Sequence, residues 1–257
     1  MVQRELTDEQ WIKIAPHLPT PPRSRKGGPT PRANRDCFEG LLWILRTGAR
    51  WKDVPDCFPS GSTCWRRLRD WDRIGAWEAA WLAFVDELGA RDRSLWEVVF
   101  ADAMFTPAKK GATASVRPSA AEGTKLVVVG SGQSVPLALT VASASPSATR
   151  MIEPTLDKLC GAPQRIVMDK EFDSHRFRDR IAARGTDPII PYRWWATARR
   201  RHEDRRKLRR YKKRWVIERL FAWLGNFRRL VVRYERKSRM YQAFVHVAFV
   251  LIALRQL

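Results

Sequence analysis

The sequence predicts an α/β fold in which a mixed sheet is flanked by helices and preceded by an all-helical N-terminal region. Three observations lead there. Apolar residues recur at helical spacing through about residue 94 and then change, at Trp96, to short extended runs. The segments after that change read as three strands, helix, strand, helix, strand, helix, the order of a sheet covered by helices. With 257 residues, 44% of them apolar, the chain is long enough to bury a large core. The division implied is a helical region, 1–94, and a sheet-bearing region, 95–257.

Each element has a local reason. Thr7 with Gln10 three residues later makes a capping box, so a helix starts there and runs to about Leu18. PTPPRSRKGGPTPR follows, too rich in Pro, Gly and cations to pack, and reads either as an arm that touches a polyanion or as a surface loop. Phe38, Leu41, Leu42 and Leu45 keep helical spacing up to Thr47-Gly48, where glycine suits a left-handed helix end. A helix from about Ser62 carries Trp65, Leu68 and Trp71 on one side and Arg66, Arg67 and Arg69 on the other; another runs from Ala76 to Leu88. Glu97 to Ala101, Lys125 to Val129 and Pro136 to Ala142 read as strands, the last two joined by GSGQS as a hairpin. Ser147 to Leu159 reads as a helix, Arg165 to Met168 as a strand, Ser174 to Ala183 as a helix and PIIP at 188–191 as a last strand. A basic helix over Tyr211 to Arg229 and an apolar helix over Ala243 to Leu254 close the chain.

Charge narrows the function classes. Forty-eight Lys+Arg against 27 Asp+Glu give +21, a balance that favours a polyanionic partner, and nucleic acid fits better than an anionic membrane because no lipidation motif accompanies the cations. Cys37, Cys57, Cys64 and Cys160 fit neither a zinc pair nor a disulfide framework and read as reduced core thiols. His17, His175, His202 and His246 have no ligand spacing. The polar start and the shortness of the apolar C-terminal run point to the cytoplasm.

Within the basic helix one acid, Glu218, stands beside an apolar stripe, with Arg214 one turn before it. It pairs with Arg214 or serves a cation. Asp102 and Asp169 each follow a buried-looking strand, so each is expected to emerge at a strand end into the cleft outside the sheet. If those strands are neighbours, the two acids meet over one divalent ion and Glu218 completes a site for a second; oxygen ligands select Mg²⁺ or Mn²⁺. The alternative is that Asp102 and Asp169 only cap strands. Lys109 and Lys110 lie on a loop after Asp102 and reach either a phosphate or solvent. Trp194-Trp195 offer either a base-stacking surface or core, and Arg199 to Arg214 reads as a phosphate-binding strip.

Several stretches, in one order over nearly the whole chain, resemble the DDE transposases of bacterial insertion sequences, in the group typified by insertion sequence five. They are LTDEQW, STCWRRLRDW, ADAMFTPAKKGA, GTKLVVVGSGQSVPLALTVASASP, MDKEFDSHRF and RRYKKRWVIERLFAWLGNFRRLVVRYE. The resemblance implies a ribonuclease-H-like catalytic domain, a helix-turn-helix-like DNA-binding domain before it, a triad of Asp102, Asp169 and Glu218, and DNA that is cleaved and joined with the help of two Mg²⁺ or Mn²⁺ ions. It further implies a homo-oligomer on double-stranded DNA, associated with the nucleoid. DNA contacts then fall to Arg66, Arg67, Arg69, Lys109, Lys110, Tyr211, Arg214, Arg228 and Arg229. The pattern of Tyr, two residues, Arg, three residues, Glu is met by Tyr211, Arg214 and Glu218, which gives Arg214 a terminal phosphate or the acid itself. A Lys expected seven positions on is Gly225, so its role passes to Arg228 or Arg229; Glu171 and Phe172 also depart from the pattern. Those departures keep open a catalytically inactive DNA-binding relative, with a ribonuclease-H-fold nuclease as the other alternative.

Overall fold

The computed structural model describes residues 5–22, 30–109, 123–193 and 205–257. Among them, α1 (Asp8–Ile14) is capped by Thr7, whose hydroxyl accepts from the Gln10 amide while the Gln10 side chain accepts from the Thr7 amide. Pro16 turns its end into a 3₁₀ turn, Ala15–His17. The helices α2 (Asn34–Thr47), α3 (Gly61–Arg73) and α4 (Ala76–Arg91) follow. Gly48 ends α2 in the left-handed conformation, φ 69°.

The sheet has five strands: β1 (Val98–Pro107), β2 (Gly123–Ser131), β3 (Pro136–Ser143), β4 (Arg165–Met168) and β5 (Asp187–Ile189). Their order across the sheet is β3-β2-β1-β4-β5. The first three form the expected antiparallel meander, whereas β4 pairs parallel with β1, and β5 parallel with β4. This mixed order, with helices α5 (Ala148–Leu156) and α6 (His175–Ala183) in the connections, is the ribonuclease-H-like arrangement. β2 is buried along nearly its whole length, as a central strand covered on both faces must be.

Two expectations are corrected. The strand holding Asp102 runs on to Pro107, so Asp102 lies within β1 and not at its end. The basic helix is not continuous: it divides into α7 (Arg205–Tyr211), a 3₁₀ turn Lys212–Arg214, α8 (Trp215–Gly225) and α9 (Arg228–Val231). Phe227, extended at φ −89° and ψ 93°, turns the chain out of α8 before α9. Cys37 and Cys64 are buried free thiols as expected, but Cys57 and Cys160 are exposed.

The last helix, α10 (Ser238–Leu254), is buried on almost every side. It packs against α4, α3 and β3, so the helical region and the sheet share one continuous apolar cluster across residues 94 and 95. Trp81 of α4 shows the join: its indole donates to the Pro136 carbonyl (2.8 Å) and lies against His246 and Phe249 of α10. No helix among the described residues is long and apolar enough to cross a membrane.

His246 makes the core pH-sensitive. Burial, helped by Lys158, pushes it from 6.5 down to about 4. As pH falls, the unfolded chain takes up this proton first, so stability is lost between about pH 6.5 and 4, by up to roughly 3 kcal/mol. His246→Phe, which keeps a ring against Trp81, is expected to flatten that part of a melting-temperature against pH curve.

Candidate active site

Parallel pairing of β1 with β4 sets Ala101 opposite Met168, so the next residue of each strand, Asp102 and Asp169, emerge side by side. The sequence placed both acids here for a partly wrong reason, since only Asp169 follows a strand end. The side chain of its neighbour Asp102 is about four-fifths buried, and its Oδ1 accepts from the Ala103 amide at 2.8 Å. Asp169 Oδ1 accepts from the Lys170 amide at 2.7 Å.

The third acid arrives from α8, together with two other groups from the same stretch. Arg214 donates from Nη1 to Asp102 Oδ2 at 2.7 Å and from Nη2 to Glu218 Oε1 at 2.8 Å. The Tyr211 hydroxyl donates to Asp169 Oδ1 at 3.0 Å. Glu218 therefore pairs with Arg214, as one of its two sequence readings has it, and through that guanidinium is linked to Asp102. Its side chain is more than half exposed.

The electrostatics follow from burial. Burial pushes the Asp102 carboxyl above the usual range, and Asp169 pushes it the same way; the Ala103 amide and Arg214 pull it down but do not win. Burial and then Asp169 raise the Tyr211 phenol, so it stays a donor at neutral pH.

A pair of crowded carboxylates and a third nearby form an all-oxygen donor set, which suits a hard divalent cation. Asp102 and Asp169 fit such an ion. Glu218 meets them through the Arg214 guanidinium, and among the described residues no three His, Cys, Asp or Glu side chains close around a single point.

The turn after Asp169 is pinned by groups the sequence reading passed over. Asp173 is buried and accepts from Arg178 and from the Arg193 amide, while Arg193 donates to the carbonyls of Lys170 and Glu171. The signal was present in MDKEFDSHRFR, 168–178, where Arg178 stands five residues after Asp173. Glu171 is exposed on that turn and Phe172 is buried. Beside Glu218, Trp215 is half exposed, with the Arg219 guanidinium 4.9 Å from its ring and 5.1 Å from that of Trp223.

The expected DNA contacts divide. Arg66, Lys109 and Arg228 are exposed, and Arg69 is partly so, held over the Trp65 ring and paired with Asp70. Arg67 is corrected: it is 6% exposed and donates to the Arg32 carbonyl at 2.8 Å, on the inner side of α3. Arg229 is corrected too, since it is buried against Glu235 at 2.7 Å and donates to the Ala49 carbonyl at 2.8 Å. Both are locking residues between elements. Lys110, Trp194, Trp195, His202 and the first part of the basic strip, 199–204, lie outside the described residues.

Residues 86–253 match a family described as transposase DDE domain, and residues 6–81 match one described as putative transposase of the IS4/5 family. The chain is 42% identical over 97 residues to an uncharacterized 16.2 kDa protein of insertion element IS402 from Burkholderia cepacia, covering 36% of this chain and 66% of that one. It is 31% identical over 140 residues to a putative transposase for insertion sequence element IS402 from the same organism, covering 51% and 62%. It thus spans less than two thirds of the length of these relatives. Among solved structures it is similar to the Mos1 strand transfer complex, with 10% identity, 80% of this chain and 79% of that one covered, and a TM-score of 0.29, a likeness too loose to align residues.

Two outcomes test this geometry. Arg214→Gln removes a cation from Asp102 while its burial and Asp169 remain, so the Asp102 carboxyl is expected to titrate higher still in a carbon-13 carboxyl titration. Arg229→Met leaves the buried Glu235 carboxylate without its partner and is expected to cost about 3–5 kcal/mol in denaturant unfolding, whereas Arg228→Ala changes stability by less than about 0.5 kcal/mol.

Proposed function

The chain belongs to the transposase DDE-domain family, in the IS4/5 group, and on that premise we propose that it moves an insertion sequence by cutting and joining double-stranded DNA. Water attacks a backbone phosphorus at the element end, and the departing 3′-oxygen takes a proton to become a 3′-hydroxyl. That hydroxyl then attacks a phosphorus of the target DNA, forming a new P–O bond and releasing a target 3′-oxygen. Both steps are phosphoryl transfers and use one set of side chains.

The observation behind this reading is the meeting of Asp102 and Asp169 through the β1–β4 register, with Tyr211, Arg214 and Glu218 reaching them from one stretch. Asp102, Asp169 and Glu218 are the catalytic acids and would hold two Mg²⁺ or Mn²⁺ ions. Such ions supply activation of the attacking oxygen and stabilisation of the leaving one. Arg214 steadies Asp102 and Glu218 and offers its remaining N–H groups to a phosphate. Tyr211 orients Asp169.

Double-stranded DNA, both element ends and target, lies along the exposed cations: Arg66 and Arg69 of α3, Lys109 after β1, Arg228 of α9 and the basic stretch through Tyr211 and Arg214. This electrostatic part of the affinity falls steeply as salt rises. Holding two ends at once calls for a homo-oligomer on DNA, and work on chromosomal DNA places the protein at the nucleoid. The helical region, 1–94, recognises the ends and the region 95–257 carries the chemistry.

A second reading, a DNA-binding relative without catalysis, has one observation in its favour. Position 225 is exposed, and a Cβ added there meets nothing within 4 Å, so the lysine of the family pattern would fit and yet glycine stands in its place. Arg228, exposed three residues on, is the substitute that the first reading requires. Asp102→Ala, Asp169→Ala and Glu218→Ala are each expected to abolish Mg²⁺-dependent cleavage of a DNA carrying the element ends while binding stays within a few-fold. Full cleavage by any of the three overturns the triad. Binding without nicking by the unaltered chain favours the second reading, and cutting without a labelled strand-transfer product would make it a nuclease.

A further inference from the structure

A cavity of about 660 Å³, with none of the three acids in its lining, lies between the 3₁₀ turn Trp51–Asp53 and the first turns of α3. Two indoles wall it. Trp51 is half-buried, stacked on Phe244 at 5.8 Å, with the Arg229 guanidinium 5.9 Å from its ring. Trp65 is 36% exposed and braced by Arg69 at 5.2 Å. The walls are fixed relative to each other by Gly61: a Cβ there would fall 1.7 Å from the Trp51 carbonyl oxygen, so only glycine lets the turn press against α3.

The polar lining is sparse and specific in type. Asp56 is exposed, has no ion pair or hydrogen bond with another described residue, and supplies an acceptor-only carboxylate. Ser60 and Ser62 add hydroxyls, and Lys52 adds an exposed ammonium at the cavity; Arg66, outside the lining, is exposed and donates from Nε to the Ser62 carbonyl at 3.2 Å. Aromatic walls, an edge acceptor and cations nearby match one ligand chemistry: a planar heteroaromatic ring with an amino donor, attached to an anion.

We propose that this cavity receives the base of an unpaired nucleotide, stacked on Trp65 and Trp51, with Asp56 accepting from its exocyclic amino group and Lys52 and Arg66 facing its phosphate. The proposal rests on DNA being the partner. It adds a site in the helical region at which the chain reads a distorted or single-stranded position and not duplex alone. A carboxylate acceptor favours adenine, cytosine or guanine over thymine, which has no amino group.

The test uses the full chain and a duplex with one unpaired 2-aminopurine, beside the fully paired duplex and a six-nucleotide single strand carrying the same fluorophore. The expected result is quenching of the unpaired 2-aminopurine and about tenfold tighter binding of the bulged than of the paired DNA, in line with stacking on an aromatic side chain. Trp65→Ala loses both and keeps paired-duplex affinity; Trp65→Phe, which keeps a ring, retains most of both. Asp56→Ala erases a preference for unpaired adenine over unpaired thymine. Unchanged quenching and preference in Trp65→Ala overturns the proposal, as does an equal loss on bulged and paired DNA. Failure to bind paired duplex, with the single strand still quenched in a Trp65-dependent way, overturns the DNA-transposition reading and leaves the cavity assignment standing.

Discussion

Two carboxylates brought together by adjacent parallel strands repel each other, and the site depends on a cation being brought to them. At 4 Å two like charges cost about 4 kcal/mol near a protein surface, and burial of Asp102 adds to the cost of its ionised form. The described structure meets this with Arg214, which spans Asp102 and Glu218. Sheet register thus fixes where the charge problem arises, and the stretch that follows α7 is held there by solving it. Stability and chemistry pull in opposite directions at this point, because the crowding that costs folding energy is what makes the place attractive to a divalent ion.

Much of this was legible from residue patterns. The capping box at Thr7, the glycine end of α2 and the meander before α5 are local signals, and local chemistry decides them. The three acids stood out because each broke an apolar or basic run. What escaped was non-local. Nothing in ADAMFTP says that the strand continues past Asp102; that follows from nine residue pairs with β2, ending at Pro107 opposite Gly123. Arg67 and Arg229 looked like their exposed neighbours Arg66 and Arg228, but they face inward because carbonyls of Arg32 and Ala49, distant in sequence, accept from them.

The same inward arginines bear on how the chain is divided. A change from helical to extended pattern near residue 95 marks a change of element type and says nothing of where the core stops. Arg229 joins α9 to the end of α2, α10 fills the space between α4 and β3, and the Arg233 backbone bonds to Pro107 and Lys109 at the end of β1. Helix α3 is therefore mechanically continuous with the sheet that holds the acids.

The division of the basic helix, which looks like a defect of the pattern, is compatible with its spacing. Tyr211, Arg214 and Glu218 are separated by three residues and then by four. In a 3₁₀ turn, residues three apart eclipse, and the turn Lys212–Arg214 aligns Arg214 with Tyr211. In an α-helix, residues four apart share a face, and α8 begins at Trp215, so Glu218 aligns with Arg214. In a continuous α-helix the same three positions, at i, i+3 and i+7, would still share one face, so the 3₁₀ turn tightens an alignment that the spacing already provides. One stretch thus brings the phenol to Asp169 and the guanidinium to Asp102, with Glu218 held on the same guanidinium.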